Sequence, residues 1–151
     1  MTDPMPITYE PLELRVSPLV LRTDPRYPGA WQQLSPYLES ALERDEAGDW
    51  NIQDVYRLAC AHQVQLWALT QGSAVFGALV TSESVYPQRK VLDILLLGTD
   101  PHTEEKWFQC LDQLKSIAKL GGANCLQGTG RPGWAKKLNA TRRKIVWEID
   151  L

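Results

Sequence analysis

The residues that could do chemistry are few and scattered. Asp93 is the one charge in the apolar run from Val91 to Leu97. Burial there would raise its pKa and suit it to accept a proton, as a general base must. Glu83, in the run before it, is a second carboxylate of this kind. Each also reads plainly as a surface residue near a strand end, or as an ion-pair partner of Arg89 or Lys90. His102 follows Pro101 in a loop. Its imidazole titrates near neutral pH, so it could pass protons or simply stand in solvent. Cys60, Cys110 and Cys125 are odd in number and widely spaced. That fits reduced, packed thiols better than a disulfide frame. His62 and His102 form no metal-ligand spacing with them.

The run Arg131-Pro132-Gly133-Trp134 has two readings. Arg131 could meet a phosphate or carboxylate beside a helix start, with Trp134 packed over the ligand. Alternatively, Pro132 and Gly133 shape a tight strand-to-helix turn and Trp134 fills the core.

The elements that must position these groups follow from periodicity. Pro4, Pro6 and Pro11 predict an extended N-terminal arm over residues 1–11. Residues 12–21 read as an edge strand interrupted by Pro18. Trp31, Leu34, Leu38, Ala41 and Leu42 recur at three and four residues, predicting an amphipathic helix over 30–47. Asn51 can cap a second helix, with Asp54 in its first turn. Residues 64–70 and 74–86 read as a hairpin turned at Gln71-Gly72. Residues 90–97 form a third strand, apolar on both faces and therefore placed at the centre of the sheet. Trp107, Cys110, Leu111, Leu114, Ile117 and Ala118 predict a helix capped by Thr103 or Asp100 and stopped at Gly121-Gly122. A short strand at 124–127, a short helix near 131–139 and a last strand over 145–151 complete the chain. Residues 90–127 make a strand–helix–strand unit, which is right-handed and parallel.

Composition narrows the function classes. The chain has 151 residues and a net charge of -2, sized for one domain. That near-balance excludes a polybasic nucleic-acid binder, but the charge is segregated. Gln113 to Trp147 holds eight basic residues and no acidic one, while the first 112 residues hold eight basic and sixteen acidic. Lys136, Lys137, Arg142, Arg143 and Lys144 could meet an anionic ligand, an acidic protein, or the chain's own acidic stretch from Glu39 to Asp49. No exposed aromatics interleave with them, which disfavours nucleic acid. No apolar run is long enough for a membrane helix. Residues 1–9 lack the pattern of a signal peptide.

The order β-α-α-β-β-β-α-β-α-β resembles the GNAT superfamily of N-acyltransferases, a mixed α/β sheet with helices on both faces. The segments LWALTQGSAVFGALVTSESVYPQRKVLDILLLG, LKSIAKLGGANCLQGTGRPGWAKKL and VWEIDL resemble small GNAT-like proteins of tailed bacteriophages. The resemblance implies an acyl-CoA site where the third strand splays from its parallel neighbour. It assigns Leu97, Gly98, Thr99, Thr103, Arg131 and Trp134 to the cofactor, if one binds. It also implies a carboxylate base (Asp93 or Glu83), with His102 as a further proton-transfer candidate. The family's acid, a tyrosine near the long helix, has no match after Trp107.

The chain departs from the family at the pyrophosphate loop. Gln/Arg-x-x-Gly-x-Gly/Ala is replaced by Gly98-Thr99-Asp100-Pro101-His102-Thr103-Glu104-Glu105. No glycine follows Gly98, Pro101 lacks an N–H, and three carboxylates stand where an anion should sit. The expectation is a GNAT-like domain with a degenerate cofactor loop and no cofactor. It would act through a protein partner or self-association in the host cytoplasm or a virion. The alternatives are an active acetyl-CoA-dependent N-acyltransferase with an atypical pyrophosphate loop and an anionic-ligand or nucleic-acid binder.

Overall fold

A computed structural model of the chain describes residues 16–44, 48–129, 137–141 and 148–151. The first strand, β1 (Leu19–Thr23), begins just after Pro18, because proline cannot donate to a ladder. Of the expected span 12–21, residues 12–15 lie outside the described residues. Helix α1 (Ala30–Glu43) buries Leu34 and Leu38. Helix α2 (Ile52–Cys60) opens on a full capping box, with the Asn51 side chain accepting from the Asp54 N–H and the Asp54 carboxylate accepting from the Asn51 N–H.

Strands β2 (Gln65–Gln71) and β3 (Ala74–Val85) form the expected hairpin, turned at Gly72 with φ 62°. Strand β4 (Lys90–Thr99) leads through a short loop to α3 (Glu104–Leu120) and then to β5 (Cys125–Gly128). The sheet runs β1-β2-β3-β4-β5. All neighbours are antiparallel except β4 and β5, which are parallel as the strand–helix–strand unit requires. The central strand is β3, not β4. Its residues Phe76 and Ala78 to Thr81 are all buried, whereas Leu95 on β4 is exposed.

Two core layers sandwich the sheet. Leu66, Ala68, Ala78 and Val80 pack with α1 and α2 on one face. Trp67, Leu69, Phe76, Leu79 and Leu92 pack with Trp107, Cys110, Leu111 and Leu114 of α3 on the other. Strand alternation alone separates Leu66 from Trp67 and Ala68 from Leu69. Trp67 and Trp107 are core residues, as their apolar patterns predict. Trp67 also satisfies its indole N–H by donating to the buried Thr81 hydroxyl at 2.8 Å.

The expected arm over 1–11, most of the helix near 131–139 and residues 145–147 of the last strand lie outside the described residues. Residues 148–151 belong to no strand. Ile149 and Leu151 are exposed, so their alternation does not mark a buried face.

Candidate functional site

The site begins with a mismatch of strand lengths. β4 has ten residues, yet β5 pairs with only Val91 to Ile94. From Leu95 to Thr99 the β5 side of β4 has no ladder partner among the described residues. The β4–β5 ladder ends at Ile94 because β5 itself ends at Gly128. A β-bulge falls at the same point. Val80 opposes Leu96 and Thr81 opposes Ile94, leaving Leu95 unmatched and exposed. The extra residue flips the strand: Ile94 packs on the α3 side, Leu96 on the α1/α2 side and Leu97 on the α3 side again.

The candidate carboxylates do not converge. Asp93 opposes Ser82 on β3 and accepts a 2.6 Å hydrogen bond from the Ser84 hydroxyl. It is half-buried and stands one residue before the end of the β4–β5 ladder. Glu83 opposes Leu92, so it lies on the other face of the sheet. It is exposed and pairs with Lys90 Nζ at 3.4 Å. The same ammonium donates to the Gly121 carbonyl at 2.8 Å, at the far end of α3. Glu83 is therefore the ion-pair partner its sequence context allowed. His102 is exposed with φ 62°, on the loop between β4 and α3. Cys110 is fully buried, and burial pushes its thiol up to about 11, the condition of an inert core thiol.

The described residues assigned to the cofactor also make contacts within the fold. Leu97 packs into the α3-side core. Gly98 is glycine because α1 crosses it. A Cβ at Gly98 would lie 2.1 Å from the Tyr37 carbonyl oxygen. Thr99 opposes Gly77 in the ladder. Thr103 is the N-cap residue of α3, but its hydroxyl makes no capping bond and donates instead to the Asp100 carbonyl at 2.7 Å. Its φ of -112° and ψ of 18° depart from the extended geometry of a side-chain cap. Arg131 and Trp134 lie outside the described residues.

Tyr37 is the residue that sequence reasoning missed. Its hydroxyl donates to an Asp100 carboxylate oxygen at 3.0 Å and lies 3.3 Å from the Val75 carbonyl. Burial first, then the bond to Asp100, raises the Tyr37 pKa above its ordinary value. Helical periodicity places Tyr37 next to Leu38, but nothing local reveals a partner 63 residues away. The loop's own groups are similarly committed. The Asp100 N–H donates to the Phe76 carbonyl at 2.8 Å, and Pro101 has no N–H. Glu104 pairs with Lys137 Nζ at 2.9 Å. The basic stretch thus meets the acidic start of α3.

These features fit an acyl-CoA pyrophosphate poorly. Such a group needs free backbone donors and room for close approach. Here the Asp100 amide is used, Pro101 has none, and carboxylates hold the corner, although the first turn of α3 has no side-chain cap. No cluster of His, Cys, Asp or Glu among the described residues could hold a metal ion. No helix among them is long and apolar enough to cross a membrane.

No family model matches the chain, and no curated protein does. Solved structures do. An aminoglycoside acetyltransferase from an uncultured soil metagenomic sample, in complex with sisomicin, aligns with TM-score 0.63 and 11% identity, over 89% of this chain and 96% of that one. A possible acetyltransferase from Clostridium difficile 630 aligns with TM-score 0.67 and 8% identity, over 89% and 98%. A Trypanosoma brucei acetyltransferase aligns with TM-score 0.60 and 14% identity, over 89% and 100%. At these identities the likeness concerns architecture, and with the mixed five-stranded sheet and its helices it gives this chain a GNAT-like acetyltransferase fold.

Proposed function

We propose that this GNAT-like domain has given up acyl-CoA binding and works as an interaction domain, with a virion or assembly role as its setting. One observation carries the reading: the chain's own groups occupy the corner where pyrophosphate would sit. Asp100 is held by Tyr37, the Asp100 amide is spent on β3, and Glu104 is paired with Lys137. Each carboxylate in the first turn of α3 is stabilised by ~0.3–1 kcal/mol from the helix dipole and would repel an incoming diphosphate. The assembly setting rests on the resemblance of the chain to small phage proteins.

A second reading, an acetyl-CoA-dependent N-acyltransferase, is favoured by the position of Asp93. It is half-buried on β4, one residue before the ladder with β5 ends, and the resemblance assigns it as a base.

Calorimetry with acetyl-CoA separates the two. The interaction reading expects no binding tighter than ~100 μM, about -5.5 kcal/mol. Tighter binding refutes it. If binding is found, Asp93→Asn should then keep affinity and abolish turnover, and unchanged turnover would remove Asp93 as the base.

A further inference from the structure

A second feature lies away from β4 and β5. The loop after β1 and the facing sides of α1 and α2 enclose a groove of about 430 Å³. Its walls are aromatic and apolar. Trp31 and Tyr56 meet edge to face with ring centroids 5.0 Å apart. Pro25, Pro28 and Ile52 stand around them. Arg26 is the one charged residue of the lining, and its guanidinium is spent on Asp24. The lining therefore carries no unpaired charge.

Tyr27 stands at the rim, 71% exposed. Its backbone is fixed. The Tyr27 N–H donates to the Asp24 carbonyl, and the Tyr27 carbonyl accepts from the Ala30 N–H, both at 3.0 Å. Pro28 locks the next φ. The exposed ring thus projects from a rigid turn, which lowers the ordering entropy that association must overcome. Large aromatic side chains held in this way are the anchors of protein interfaces.

An exposed ring beside an aromatic groove is self-complementary. A twofold axis passing the rim sets each Tyr27 over the groove of the other copy. The charge pattern fits the same partner. Two copies of one patch bring identical charges together, and like charges across an interface oppose association. Here Asp24 and Arg26 are closed into a pair within each copy, so the patch meets itself without repulsion. The exposed amides of Gln32 and Gln53 line the groove and can bond an incoming phenol hydroxyl. Ten lining residues a side are fewer than the 20–30 of a standard interface, so the contact belongs to the reversible class.

We infer that two copies of this chain dock groove to groove, each seating its Tyr27 in the Trp31–Tyr56 groove of the other. This deepens the interaction reading by naming a partner for it.

Sedimentation of the full chain over a wide range of concentration tests it, with two variants. Tyr27→Ser removes the exposed ring and leaves both core layers intact. Leu120→Ser alters a side chain that is 89% exposed at the end of α3. The parent should be a monomer–dimer equilibrium, and so should Leu120→Ser. Tyr27→Ser should raise the dissociation constant at least ~30-fold, the effect of losing one anchor side chain. The Trp31 indole N–H resonance should move with concentration in the parent and stay fixed in Tyr27→Ser. A parent that is monomeric throughout would overturn the inference. So would a Tyr27→Ser dimer as tight as the parent's, a Leu120→Ser variant that dissociates equally, or a Trp31 resonance indifferent to concentration. The two readings fail separately: a dimer that binds acetyl-CoA refutes the interaction reading alone, and a monomer that binds none refutes the dimer alone.

Discussion

Replacing Gly98 by alanine separates a packing glycine from a cofactor glycine. The new Cβ would lie 2.1 Å from the Tyr37 carbonyl oxygen and 2.7 Å from its carbonyl carbon. Ordinary contact begins at 3.4 Å, so α1 or β4 must move by about 1.3 Å. The obstructing atoms are backbone, so no rotamer change relieves the clash. Moving α1 also disturbs Leu34 and Leu38, which are 1% and 0% exposed. Overpacking of this kind costs ~1–3 kcal/mol or more, and the closeness of the contact argues for the upper end. For a chain of this size ~3 kcal/mol lowers Tm by ~6–12 °C. Gly128→Ala is the control, because its Cβ would meet Ile94 at an ordinary 3.8 Å. Thermal denaturation followed by circular dichroism reads both. A Gly98→Ala variant within ~2 °C of the parent would refute the packing argument. So would an equal loss in Gly128→Ala.

Tyr37→Phe should change the alkaline limb of stability. The Tyr37 pKa is raised in the folded state, so its contribution is complete below ~10 and is lost as pH climbs toward the folded value. Urea denaturation from pH 8 to 11 should show that loss in the parent and not in the variant; identical profiles would contradict it. Cys110 should resist a thiol reagent at pH 8 in the native protein and react at once in denaturant, while native labelling as fast as that of Cys125 would overturn its burial. Gln113→Ala should destabilise by ~1–3 kcal/mol. The Gln113 amide accepts from the Val20 N–H at 3.0 Å and donates to the Pro18 carbonyl at 2.6 Å, closing the free edge of β1. In a Tyr27→Ser background, sedimentation should also reveal self-association through that bared edge; an unchanged Tm and a strict monomer would remove this role.

The sequence determined whatever is written in local period and local chemistry. Alternation in Leu66 to Leu69 set two core faces, and the spacing from Trp107 to Ala118 set the face of α3. Asn51 and Asp54 announced the start of α2 because a capping box needs only residues three apart. The poor fit to pyrophosphate was also legible, since Asp100, Pro101 and Glu104 are adjacent in the chain.

Tertiary structure decided what depends on distant partners. A one-residue bulge at Leu95 reverses the faces of β4, and periodicity cannot register an insertion that only the facing strand defines. Glu83 and Asp93 looked equivalent in sequence, yet pairing with Leu92 and Ser82 sends them to opposite faces. What lies against Gly98, the Tyr37 carbonyl, is set only by how α1 crosses β4. The Tyr37 hydroxyl and Lys137 Nζ show the same thing for charge. Which groups hold the carboxylates at the start of α3 depends on how helices and loops pack across the sheet, and no local pattern encodes that.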